Sequence, residues 1–80
     1  MHELGVLRHV VKTVNQIAVK NDIERVKFIT LEVGTESTYV PSFFMKLFPV
    51  ATDSFPILQT AELRISSVSG KGLTIKEIGY

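Results

Sequence analysis

The spacing of apolar residues changes three times along this chain, and that alternation restricts it to a small set of folds. Val6, Leu7, Val10, Val11, Val14, Ile17 and Ala18 recur at one-, three- and four-residue intervals. At about 100° per residue they share an arc of roughly 140°, with Arg8, His9, Lys12, Thr13, Gln16 and Lys20 on the other side. This spacing predicts an amphipathic helix over residues 3–20, stopped at Asn21 with Lys20 in the last turn. Its valines are indifferent helix formers, so packing against a second layer must hold it. Ile29, Leu31 and Val33 then alternate with Phe28, Thr30 and Glu32. Period two with β-branched residues predicts a strand over 25–33, closed by Gly34 and a polar loop at 35–38.

Pro41 opens a second helical run with Phe44, Leu47, Phe48 and Ala51 on one side, since proline suits a first helical turn. Pro49 is expected to kink or end that helix near Lys46, because it has no N–H to donate and crowds the preceding turn. Residues 55–58 are expected to be an extended linker. Residues 61–68 alternate again, as do 73–78, and Ser69-Gly70-Lys71-Gly72 between them predicts a tight turn joining a hairpin.

The element order α-β-α-β-β favours a parallel strand pair with a helical crossover, to which the hairpin adds an antiparallel strand. The expected fold is α+β, a two-layer α/β sandwich in which two helices cover one face of a three-stranded mixed sheet. Eighty residues leave no room for a second core, so 1–80 is expected to be one domain. A hydrophobic share of 45% is too high for a disordered chain. A net charge of +1 supplies no broad field for nucleic acid. The chain has no cysteine, which excludes disulfides, thiolate catalysis and cysteine-based zinc sites within it. A chain of this size must then rely on core packing or a partner subunit. With no secretory start and no long apolar run, the expected location is the cytoplasm.

Few residues could carry chemistry. His2 and His9 are seven residues apart, about 10 Å along a helix, which is too far to share one metal ion. His9 falls on the polar face and reads as a solvated residue. Thr35, Ser37 and Thr38 read as loop caps, and 69–72 is too short for a phosphate loop. The distinctive feature is positional: His2 follows the initiating methionine. A free α-amino group titrates at about 7.7–8.0 and gives up its proton at modest cost. The amine, the His2 backbone nitrogen and the His2 imidazole can close adjacent chelate rings on one ion. Nitrogen donors in a square plane suit Ni(II) or Cu(II). Glu3 is adjacent and could orient the site or meet a partner.

Several segments together resemble the HypA/HybF family of nickel-insertion accessory proteins for [NiFe]-hydrogenase maturation. They are Met1-His2-Glu3-Leu4 opening a helix, Arg25-Val26 leading into a strand, Leu31-Glu32-Val33-Gly34 ending it, Val40-Pro41, Phe48 and Ala61-Glu62-Leu63. The resemblance implies a non-enzymatic metallochaperone domain with Ni(II) on Met1 and His2 and with Glu3 at the site. It also implies a nickel-delivering GTPase and the hydrogenase large subunit as partners. Two departures stand out. Family members carry a zinc module with two Cys-x-x-Cys pairs between the last two strands, where this chain has only Ser69-Gly70-Lys71-Gly72, so no zinc is expected. Some members also have an acidic residue near the start of the second helix. Here Tyr39-Val40-Pro41 offers none, and the nearest is Glu36. Exchange of the last strand between two copies is a route to a homodimer. A different class of function also fits: a degenerate relative acting as a metal-free interaction module, docking through Phe28, Phe43 and Phe44.

Overall fold

A computed structural model describes residues 3–80. The order is α1 (Glu3–Lys20), β1 (Phe28–Gly34), α2 (Pro41–Thr52), a 3-10 turn (Pro56–Leu58), β2 (Glu62–Val68) and β3 (Leu73–Gly79). The two helices lie side by side on one face of a mixed three-stranded sheet, as the periodicity predicts. α1 buries Leu7, Val10, Val11, Val14 and Ala18, and β1 buries Ile29, Leu31 and Val33 beneath them. Phe44, Phe48, Ala51 and Leu58 fill the space between helices and sheet.

α1 ends at Lys20, as the spacing predicts, and its cap is completed by the residues that follow. Asp22 takes the left-handed conformation with φ 57°. The Ile23 N–H donates to the Ala18 carbonyl at 2.8 Å and the Asp22 N–H to Val19 at 3.3 Å. This is the Schellman pattern of bonds that satisfies the last carbonyls of a helix. α2 runs through Pro49 to Thr52 rather than stopping near Lys46. The proline sits late in the helix, so it deprives only the Met45 carbonyl of its donor, and Met45 lies on the exposed side of α2. Thr52 Oγ1 donates to the Phe48 carbonyl at 3.1 Å and closes the last turn. Residues 56–58 form a 3-10 turn instead of an extended linker, and this turn drives Leu58 into the core.

The expected hairpin does not form. Strand order is β2-β1-β3, so β2 and β3 both pair with β1 and not with each other. β1 is parallel to β2, with Ile29 opposite Leu63, and antiparallel to β3, with Ile29 opposite Ile78. The four residues between β2 and β3 therefore pass over the end of β1, bridging strands roughly 9.5 Å apart. Gly34 is what permits the crossing: a Cβ there would overlap the Gly70 carbonyl. Gly70 itself has φ +108°. Three bonds lock the crossing, from the N–H groups of Gly34, Thr35 and Glu36 to the carbonyls of Gly72, Val68 and Gly70, at 2.7–2.8 Å. A register shift opposite Thr30 and Leu31 leaves Lys76 as an extra residue in β3. That bulge lets Ile75 and Ile78, three apart in sequence, both pack against the core.

Candidate metal centre

α1 and α2 begin at the same corner of the molecule, and one side chain joins them. Glu3 is only 3% exposed, although it lies in the first turn of its helix. Its Oε2 accepts a hydrogen bond of 3.1 Å from the backbone N–H of Val40, 37 residues away. Val40 is the N-cap of α2 and provides no side-chain cap of its own, and the first turn of α2 carries no acidic residue. Glu3 supplies what that end lacks. In a capping box, a glutamate within the helix reaches back to the N-cap N–H; here the glutamate comes from another helix. The partial positive charges of two helix N-termini meet at this corner, and a carboxylate is favoured there. Next to Val40, the Tyr39 ring packs on Phe44, with centroids 5.6 Å apart and planes at 44°.

Tyr39-Val40-Pro41 at the start of α2 contributes no carboxylate. The fold brings one from α1 instead. Met1 and His2 lie outside the described residues. They are joined to Glu3 by a stretch of at most about 7 Å of extended chain. Among the described residues, no three histidines, cysteines, aspartates or glutamates come together as a metal-holding group. His9 is exposed on α1, as expected. Ser37 caps its loop, with Oγ donating to the Gly34 carbonyl at 2.7 Å.

The aromatic docking patch does not assemble. Phe44 is wholly buried on the helix side of the sheet. Phe28 alternates with buried Ile29 and lies on the opposite face. There the Arg64 guanidinium sits 3.9 Å from the centre of its ring, and Arg64 Nε donates to Glu62 at 2.7 Å. On its β3 side the ring fills the space above Gly79, where any Cβ would collide with it. Phe28 is thus half-buried among its strand neighbours, and the sheet separates it from Phe44.

The family model described as hydrogenase/urease nickel incorporation, metallochaperone, hypA matches residues 1–76. No curated protein matches the chain. The solution structure of the Ni metallochaperone HypA from Helicobacter pylori superposes with a TM-score of 0.79 at 18% identity, covering 96% of this chain and 72% of that one. At that identity the likeness speaks for the fold.

Proposed function

The chain belongs to the HypA family of nickel-incorporation metallochaperones, and we propose that it carries one Ni(II) as cargo on its N-terminal amine and His2, with Glu3 holding those donors in place. The observation that carries this reading is the Glu3–Val40 bond. Chelation by a chain terminus is weakened when the terminus must first be ordered, because that ordering costs conformational entropy. A buried glutamate fixed to the start of α2 orders the third residue in advance. It also offsets the field of two helix N-termini, which would otherwise oppose a cation.

The donors are the amine, the His2 backbone nitrogen and the imidazole, whose adjacent chelate rings suit a square-planar ion. No residue here acts as a catalyst; the chain loads and hands over a metal. The proposed recipients are a nickel-delivering GTPase and the hydrogenase large subunit, in the cytoplasm, with 1–80 acting as one domain. A homodimer formed by exchanging β3 belongs to the same proposal. β3 is an edge strand with no fully buried residue, and β1 is its one strand neighbour.

Calorimetric titration of Ni(II) into the chain with its native terminus tests the reading. Micromolar binding is expected near pH 8, absent in His2→Ala and falling below about pH 7, because amine and imidazole must both be deprotonated. Binding that persists in His2→Ala would overturn it.

A further inference from the structure

A second feature of the helix layer lies at the other end of α2 from Glu3. Between α1 and the last turn of α2 runs an open groove of about 720 Å³. One wall is cationic: Arg8 and Lys12, four residues apart, share a stripe of α1. Both are exposed, and neither forms an ion pair among the described residues. The other wall is apolar, built from Pro49, Val50 and Phe55. Val50 is 54% exposed and Met45, one helical turn before Pro49, is 51% exposed.

The far end of the groove is built in advance. Gln59 Nε2 reaches the carbonyls of Thr52, Asp53 and Phe55 at 2.6–3.2 Å and ties the end of α2 to the segment that follows. Asp53 stands at that end and gives the groove a polarity. An occupant places its negative charge toward α1 and its backbone N–H groups toward Asp53.

We propose that this groove docks an acidic amphipathic segment of a partner protein. Carboxylates of the segment meet Arg8 and Lys12, and its apolar side chains cover Val50, Pro49 and Phe55. The charge argues for the acid, and two unpaired cations beside exposed apolar side chains argue for a peptide over a free anion. The groove is open to solvent rather than closed around a small molecule. Its location is separate from the Glu3 corner, so the proposal stands or falls independently of nickel binding.

The test is an NMR titration of the ¹⁵N-labelled chain with a twelve-residue helical peptide bearing two glutamates four residues apart and two leucines on the adjacent stripe. Amide shifts are expected at residues 8, 12 and 50–55, with a dissociation constant on the order of 10⁻⁴ M. Binding should weaken at least fivefold in the Arg8→Gln/Lys12→Gln double variant, whose exposed positions leave the fold intact by circular dichroism. It should also weaken in 0.5 M salt, where screening is strong, by roughly the same factor. Equal binding of a peptide with lysine in place of glutamate would overturn the proposal, as would unchanged binding by the double variant. Shifts at those amides from free glutamate alone, with no gain from the leucines, would reassign the groove to a small anion and overturn it. Shifts that appear on concentrating the chain without peptide would assign the groove to a second copy and likewise overturn it.

Discussion

The middle of α1 and its first turn obey different rules. In the middle, Leu7, Val10, Val11, Val14 and Ala18 all pack into one apolar core. Each makes many weak contacts, and no single contact decides the outcome. In the first turn, a carboxylate accepts a hydrogen bond from a backbone group 37 residues away. The middle holds the fold by redundancy, whereas the first turn ties one helix start to the other through one side chain. A chain can therefore lose the function of its corner while keeping its fold, and the variants below separate the two.

The largest effect is expected from removing the frame on which both regions rest. Gly34→Val drives a side chain into the Gly70 carbonyl, so the crossing over β1 cannot close. Cooperative thermal unfolding by circular dichroism should disappear. Leu7→Ala strikes the middle of α1 alone and should cost about 2–5 kcal/mol in urea denaturation. Under folding conditions its nickel affinity should stay within twofold of wild type. Glu3→Ala strikes the corner. It leaves the Val40 N–H without its carboxylate and should cost about 1–3 kcal/mol. Nickel affinity should fall about tenfold, equivalent to roughly 1.4 kcal/mol. Glu3→Gln should recover most of the stability, because an amide oxygen can still accept from Val40. The smallest stability effect is expected from His2→Ala, within about 0.5 kcal/mol of wild type, while nickel binding is lost. Equal loss of stability in His2→Ala and Glu3→Ala would break the division between corner and core.

The sequence foretold the redundant parts of this molecule better than the singular ones. Period 3.6 across residues 6–18 and period two across 29–33 each reflect many residues voting for one face, so the helix layer and the central strand were legible. The pairing of β3 was not. A four-residue glycine-containing link has the same local chemistry whether the chain returns to its neighbour or passes over one strand. The available signal was Gly34, a third glycine placed where another strand ends. The bulge at Lys76 was also visible in principle, as the three-residue step from Ile75 to Ile78. Pro49 does not stop α2 at Lys46, because so near the helix end it removes a single hydrogen bond while Phe48 and Ala51 on either side of it are held in the core. At the candidate site, the order Met1-His2-Glu3 was legible as chemistry. The link from Glu3 to Val40 was not, because it depends on both helices starting at one corner. The only hint was a second helix beginning at valine, a residue that cannot cap its own end.

The central claim, that the metal sits on the chain terminus held by Glu3, is tested most directly by acetylating the Met1 amine. The acetyl group removes the amine as a donor and leaves the contacts of residues 3–80 in place. An unchanged thermal midpoint is expected, within about 1 °C by the usual scaling of small stability changes, together with loss of micromolar Ni(II) binding. Undiminished nickel binding by the acetylated chain would contradict the claim.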